Sequence, residues 1–575
     1  MSRQSGRRGP RATRAPGESS GEPEASKGGM PMPEGHAGRS VRRIASAAAL
    51  IAVITIAARV FGFTRIVVFY GTVGETELGQ VYQAANTVPN IIFEIVAGGA
   101  LASLVVPILA GPIAAGDRAG INRMVSALLT WSVLILVPVA VVVTMLAGPL
   151  MSALSGQATP EMVTLGARML RVFAPQLPLY GIGIVLTGVL QAHHRFAWPA
   201  LAPLLSSVTV IAAYATFAVV AGIGVEIGGL TLGEELVLSG GTTLGVAVLS
   251  LCLVVPTLRL GIRYRPTLRF AVGTAPRVRD LAAAGAVTIA AQQLALLLVV
   301  YLTYPPAPDG SMVVYTFAQT IYFLPWGVLA VPVATSAYPA LADAVVTGAE
   351  ERYRSLVAGA IRGVLLLGFL GMSLLVAVAG PTARMMDEIA GERATVGTIT
   401  SAIVWFAPGL VGYSLFALLT RALYARGEAR LAARATVVGW TGVVAADLVL
   451  VWLLPASQRV PALAVGNSCG MVLLGVLLLW AIARRAGSTV LTGTLRAGAV
   501  GLVAATVAGA AGLGVTRLFG PSPGLAAGVI TAIAAGAAVV VGFVGVVLIF
   551  DRRDAVRMVA GWRRGPRQRE EELAG

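Results

Sequence analysis

Charge is scarce in this 575-residue chain: charged side chains make up 12% of it, about half the share that a soluble domain carries. Hydrophobic residues make up 56% and mean hydropathy is +0.81, so the bulk of the chain belongs in lipid. Lysine is nearly absent. The single one, Lys27, follows Ser26 and not a glycine, so no GxxxxGKS or GxxxxGKT phosphate loop can exist here. ATP hydrolysis at such a loop of this chain is thereby excluded as a driving force. Histidine occurs three times, as His36 and the adjacent pair His193 and His194 beside Arg195, and no HExxH zinc helix is present. Cys252 and Cys469 lie inside apolar runs without CxxC spacing, which points to packing and away from a metal site or a disulfide framework. Nor is there a nucleophile with its base, a pair of carboxylates on a soluble face, or a long extramembrane loop. Catalysis is disfavoured, and no cofactor or metal is expected.

What the chain does have is long apolar runs. Stretches able to span a hydrocarbon core of ~30 Å fall near 44–70, 80–110, 122–150, 163–191, 197–222, 234–258, 280–303, 311–341, 355–380, 396–424, 431–454, 461–483, 492–516 and 524–550. This predicts an all-α integral membrane protein of about fourteen transmembrane helices. Arginines collect in even-numbered links: Arg118 and Arg123, Arg195, a run from Arg259 to Arg279, Arg352 and Arg354, Arg426 and Arg430, Arg484 and Arg485. Odd-numbered links carry acids instead, at Glu75, Glu77, Glu161, Glu226, Glu234, Glu235 and Asp309. Because positive residues mark the cytoplasmic side, the even links and both chain termini are placed in the cytoplasm of a multi-pass cell-membrane protein. Isolated arginines on the opposite side, Arg384, Arg393, Arg459 and Arg517, are exceptions, with Arg168 and Arg171 near the start of the fourth run. The formal charge of +16 sits in the tails and links without aromatic interleaving, a pattern that suits anionic membrane lipids and argues against nucleic acid. Residues 1–43 are too poor in large apolar side chains to fold and read as a disordered basic tail, too long and polar to begin a cleaved signal peptide. Residues 551–575 form a second basic tail.

An internal repeat organises the spans. VFAPQLPLYGIGIVLTGVLQA in the fourth run and WFAPGLVGYSLFALLTRALYA in the tenth match at one constant offset, with Phe173, Ala174, Pro175, Tyr180, Leu186 and Thr187 facing Phe406, Ala407, Pro408, Tyr413, Leu419 and Thr420. A weaker pair aligns Pro107 with Pro339. Six helices separate the members of each pair, so the halves share one orientation in the membrane. The predicted division is an N-terminal six-helix lobe (44–270), a C-terminal six-helix lobe (271–485) in parallel pseudo-repeat, and two further transmembrane helices (486–550).

Ionisable and polar residues inside spans are the functional candidates, since each costs on the order of 2.5–3.5 kcal/mol to insert at mid-membrane. Arg59 lies deep in the first run, and either faces a hydrated cavity or pairs with Glu94 or Asp447. Arg65 is six residues on, roughly 9 Å along the helix and about 120° around it, so both point to one place only if the helix bends near Gly62; otherwise Arg65 reaches the outer interface. The second run is unusually polar. Gln83, Asn86, Asn90 and Glu94 make one stripe, with Gln80 a turn before it, which fits a helix lining a hydrated cavity or one hydrogen-bonded to its neighbours. Gln292, Gln293 and Gln319 are weaker candidates for the same cavity. Glu94 and Asp447 are candidate sites for a coupling proton or sodium ion.

The first two runs read ARVFGFTRIVVFYG and ANTVPNIIFEIVAGGALASLVVPILA, and the eighth contains LPWGVLAVPVATSAYPALA. The chain resembles the MurJ/MviN family of lipid II flippases, of the multidrug/oligosaccharidyl-lipid/polysaccharide exporter superfamily, through Arg59, Gly62, Phe63, Arg65, Pro89, Asn90 and the stretch Val106 to Ala110. The resemblance covers essentially residues 44–550. It implies a flippase that moves a polyprenyl-pyrophosphate-linked peptidoglycan precursor across the membrane by alternating access, with cell-wall synthesis proteins as possible partners. It also implies that basic residues hold the pyrophosphate and that the polyprenyl tail stays in lipid, guided by a groove towards the last two helices. Substrate-binding residues on this reading are Arg59, Arg65, Gln80, Gln83, Asn86 and Asn90. Three positions at which the family often carries charge are neutral here, at Gln80, Phe93 and Thr320. An exporter of another polyprenyl-linked glycan, a cation or drug antiporter of the superfamily, and a non-transporting scaffold of the wall-synthesis machinery are the alternatives.

Overall fold

A computed structural model describes residues 34–96, 102–268, 274–391, 395–520 and 524–550. Most of the expected N-terminal tail and the whole C-terminal tail lie outside these residues. The chain divides into two units, 1–50 and 51–575, and the packing of helices around a core belongs to the second. Among the described residues every regular element is a helix, as lipid requires of a backbone that must satisfy its own polar groups.

The elements begin with α1 (Glu34–Thr72), α2 (Glu77–Val96), α3 (Ala102–Ala114), α4 (Arg118–Met145), α5 (Ala147–Ser155), α6 (Pro160–Phe173), α7 (Gln176–Ala192), α8 (Ala197–Val220), α9 (Leu232–Leu251) and α10 (Val254–Leu258). Then come α11 (Thr274–Leu302), α12 (Ser311–Pro325), α13 (Val331–Val346), α14 (Glu350–Ala390), α15 (Val396–Phe406), α16 (Gly409–Ala425), α17 (Ala429–Leu453) and α18 (Arg459–Ala486), followed by α19 (Thr494–Phe519) and α20 (Leu525–Phe550). Helix α1 starts at Glu34 and not near residue 44, because Pro33 is the last proline before Pro89 and nothing between Glu34 and Thr72 interrupts the ladder.

Among the described residues eleven helices are long and apolar enough to cross a membrane, or twelve when the bent pair α15 and α16 counts as one. The fourteen expected runs exceed this count at two places. The run 80–110 holds α2, whose polar stripe lowers its hydropathy, and is interrupted by residues outside the described set. In the run 280–303 the apolar stretch is Thr288–Leu302, too short to count alone.

The alternation of links is visible as two sets of contacts. At one end, Arg426 bonds Glu350 at 2.8 Å and Arg485 bonds Glu428 at 3.2 Å, joining the eighth, tenth and twelfth links. Asn122 Oδ1 accepts from Arg263 N at 3.1 Å, joining the second and sixth. At the other end, Glu75 Oε2 accepts from both Thr395 N and Thr395 Oγ1, joining the first and ninth. Gly310 packs its α-carbon on the Glu75 backbone with φ at +71°, a place where any side chain would both collide and strain the turn. Arg168, an exception to the charge pattern, is held at this end by a 2.8 Å ion pair with the buried Glu235.

The repeated Phe-Ala-Pro is a helix break in both places. Helix α6 ends at Phe173 and α7 restarts at Gln176; α15 ends at Phe406 and α16 restarts at Gly409, with a 43° bend. Proline cannot donate to the ladder, and each break is tied by a hydroxyl from a later helix. Thr243 Oγ1 donates to Val172 O at 2.9 Å and accepts from Gln176 Nε2 at 3.1 Å. Ser468 Oγ donates to Trp405 O at 2.6 Å and accepts from Gly409 N at 3.1 Å. Close helix approach elsewhere relies on glycine, as where Gly412 meets the backbone of Met471, the usual way for helices to pack in lipid. Helices α19 and α20 pack on each other and on α14 through Ala504, Ala508, Ala535, Val539 and Phe543.

Candidate substrate cavity

A cavity of about 380 Å³ is lined by α1, α2, α7, α8, α9, α11 and α12. Helix α1 contributes Arg65, Ile66 and Phe69, and α2 contributes Tyr82, Gln83, Asn86, Thr87 and Asn90. Helix α12, which packs on α2, contributes Thr316, Gln319 and Thr320, and the rest of the wall includes Tyr180 of α7, Ser206 and Tyr214 of α8 and Thr242 of α9. Arg65 is the only charged residue among those that line it, and it forms no ion pair among the described residues. An unpaired guanidinium facing a cavity without carboxylates is a site for an anion.

Fixed hydroxyls set the shape around Arg65. Tyr82 Oη lies 2.7 Å from Tyr214 Oη and 2.6 Å from Thr242 Oγ1. Tyr180, in the helix that follows the first Phe-Ala-Pro break, donates its Oη to Asn90 Oδ1 at 2.9 Å and stacks on Phe93 at 4.2 Å between ring centroids. Phe93 therefore serves as an aromatic brace for Tyr180.

Of the candidates named from sequence, Arg65, Gln83, Asn86, Asn90 and Gln319 are brought together here, whereas Gln292 and Gln293 are not among the lining residues. Gln80 is placed elsewhere. It is 1% exposed, its Nε2 donates to Thr303 O at 3.0 Å and Thr303 Oγ1 at 3.2 Å, and its Oε1 accepts from Met312 N at 2.7 Å. It thus caps the orphan amide at the start of α12 and ties α2 to the segment between α11 and α12, between the cavity and the Glu75 end. Arg59 is exposed and is not among the lining residues, and neither is Glu94, also exposed. Asp447 is wholly buried in α17, away from the cavity lining, so it pairs with neither Arg59 nor Arg65. Both of its carboxylate oxygens lack a hydrogen-bond partner, and its seat exists because Gly466 of α18 has no side chain. Among the described residues, no group of three or more His, Cys, Asp or Glu is arranged to hold a metal ion.

Thr316 alone of Thr316, Gln319 and Thr320 is not singled out by the sequence, although a signal for the whole α12 face is present. Phe173 and Phe406 are 233 positions apart, and so are Tyr82 and Tyr315, Gln83 and Thr316, Asn86 and Gln319, and Thr87 and Thr320. The cavity is walled by corresponding stretches of the two repeats.

Residues 71–526 match the family described as lipid II flippase MurJ; Arg59 and Arg65 lie just before the matched region. The chain is 25% identical over 461 residues to a protein of Rhizobium tropici named probable lipid II flippase MurJ, covering 78% of this chain and 84% of that one. It is 26% identical over 383 residues to the lipid II flippase MurJ of Burkholderia cenocepacia, covering 65% and 72%. A Synechocystis protein named probable lipid II flippase MurJ is 27% identical over 258 residues, 42% of this chain and 45% of the relative. In fold the chain is similar to a solved lipid II flippase MurJ in an inward closed conformation, with TM-score 0.69, 17% identity, and 88% of this chain and 99% of that one covered. A multidrug transporter of the MATE family, solved facing inward, follows at TM-score 0.62 and 15% identity, covering 77% of this chain and 98% of that one.

Proposed function

The chain belongs to the lipid II flippase MurJ family, and from that premise we propose that it carries lipid II across the cytoplasmic membrane by alternating access, for cell-wall synthesis. The observation that carries this reading is the cavity whose single charged wall residue is the unpaired Arg65. Its guanidinium presents two parallel donors to a pyrophosphate oxygen pair, while the polyprenyl tail remains in the bilayer. Arg59, about 9 Å along α1 from Arg65, is the first cation a headgroup meets on the way in. Gln83, Asn86 and Asn90 complete the binding wall, and Gln80 acts on the closure of the site.

The lobes divide as 44–270 and 271–485 with helices 486–550 beside them, and the even links together with both termini face the cytoplasm. On that assignment the ties across the halves at Glu75 and Gln80 seal the outer end, and the cavity loads from the cytoplasm. A cavity of about 380 Å³ is at the small end of ligand pockets, which run ~300–1,000 Å³, so loading a headgroup requires the lobes to part at the even-link end. Energy enters through Asp447. A buried carboxylate without partners costs several kcal/mol in its charged form, so it calls for a proton or a small cation, and exchange of that ion between the two sides would bias the two conformations. Glu94, exposed on α2, is the weaker candidate for this role. Partners among the wall-synthesis proteins would dock on the cytoplasmic tails.

A cation or drug antiporter is disfavoured by the absence of any carboxylate in the cavity wall. The test is transport of lipid II by the purified protein in vesicles. Movement of lipid II that Arg65→Gln abolishes supports the reading, and equal transport by both proteins overturns the role of Arg65.

A further inference from the structure

The walls of the cavity are poor in charge and rich in acceptors. Thr87 Oγ1 donates its hydrogen to Gln83 O at 2.7 Å, and Thr320 Oγ1 donates to Thr316 O at 2.9 Å. These are corresponding bonds in the two repeats, and each leaves a hydroxyl that can only accept from a ligand. Asn86 Oδ1 is buried and has no partner. Gln319, its counterpart 233 positions on, uses one amide hydrogen on Tyr315 Oη at 3.3 Å. Gln83, Asn86 and Thr87 on α2, and Thr316, Gln319 and Thr320 on α12, each follow i, i+3, i+4 spacing, so each set makes one face of its helix.

An ionised pyrophosphate has acceptors only. It satisfies Arg65 but can give no hydrogen to Asn86 Oδ1 or to the two threonine oxygens, and a buried acceptor left unpaired costs about 1–3 kcal/mol. Because Asn86 and Gln319 also carry amide hydrogens, the ligand group that fits between α2 and α12 is one that donates as well as accepts: sugar hydroxyls and acetamido or peptide groups. We infer that Asn86 and Gln319 are a specificity-determining pair, matched across the two repeats, that reads the uncharged saccharide–peptide part of the headgroup, leaving the pyrophosphate to Arg65. The inference rests on the substrate class proposed above. Because the two amides sit on different lobes, a ligand that engages both bridges α2 and α12, and its uncharged part is what the lobes close on.

The test compares two lipids on the full-length protein in nanodiscs: lipid II, and a polyprenyl pyrophosphate without sugar. Asn86→Leu and the near-isosteric Gln319→Met are each expected to weaken lipid II binding about tenfold, the effect of one ordinary hydrogen bond, while polyprenyl pyrophosphate binding stays within about twofold. Arg65→Gln is expected to weaken both lipids. The inference is overturned if the amide variants weaken both lipids equally, or neither. Should Asn86→Leu fail to fold, the Gln319→Met arm alone decides in the same way. Wild-type protein that binds neither lipid overturns the substrate class itself, a result distinct from failure of the amide pair.

Discussion

Replacing Gln80 with leucine removes a side chain of similar size but deletes three hydrogen bonds at once. Its amide is buried and serves Thr303 O, Thr303 Oγ1 and Met312 N. In Gln80→Leu the Met312 amide, at the start of α12, and the Thr303 carbonyl lose partners where water does not reach them. Each orphaned group costs about 1–3 kcal/mol, so the sealed arrangement of this end is destabilised by roughly 2–6 kcal/mol relative to one in which α2 and α12 part and water solvates both groups. A shift of ~2.8 kcal/mol changes an equilibrium about a hundredfold, enough to take a state that is 99% sealed to near parity. Spin labels on the links at Thr76 and Asp309 would read this directly, as a second, longer distance population in Gln80→Leu that wild type lacks. An unchanged distance distribution in a correctly folded variant would refute the account of Gln80 as a tie between the halves.

Three further perturbations follow from the same geometry. Gly466→Ala places a methyl group against the Asp447 carboxylate and should displace it, so any dependence of transport on a proton or sodium gradient should be lost while lipid binding at Arg65 is kept; transport assays under imposed gradients decide. Arg168→Ala leaves the 3%-exposed Glu235 without its cation and should lower stability by about 2–4 kcal/mol, seen as a reduced melting temperature, with the double variant Arg168→Met, Glu235→Leu recovering most of it. Glu75, in the link between α1 and α2, has its pKa raised from the usual 4.5, chiefly by burial and despite the hydrogen bonds from Thr395. A raised carboxyl pKa means that the sealed state binds the proton more tightly than the parted state, so sealing is strongest below about pH 4.5 and weakens as pH rises through the raised value. Glu75→Gln should abolish that pH dependence in the same distance measurement.

Much of the fold could be read from the chain because lipid imposes simple rules. Apolar runs gave the helices, and the charge alternation separated links that the structure joins end by end, as with Glu350, Arg426 and Arg485. The Phe-Ala-Pro pair located both helix breaks, because a proline without a donor has the same effect wherever it recurs. The site was legible in part. Periodicity put Gln83, Asn86 and Asn90 on the face of α2 that lines the cavity, but a face has no depth: Gln80 lies a turn before that lining and Glu94 a turn after it. Arg59 and Arg65 separate for the same reason. That Asp447 is unpaired depends on Gly466 in another helix, which no local pattern reveals. The α12 face was legible only at Gln319 and Thr320, because four matched positions on α2 and α12 are a faint signal until the longer repeat fixes the offset.

The central claim is that an unpaired arginine in a cavity otherwise free of charge holds the headgroup of a lipid-linked wall precursor during its passage. The most direct measurement is the rate at which lipid II, placed in the loading leaflet of vesicles, becomes accessible on the other side in the presence of wild-type protein and of Arg65→Gln at equal, folded amounts. The account predicts protein-dependent transfer by wild type and a loss of at least about tenfold in the variant, as for a charge-assisted hydrogen bond of 1.5–3 kcal/mol. Lipid II transfer at the wild-type rate by Arg65→Gln, or none by wild type, would contradict it.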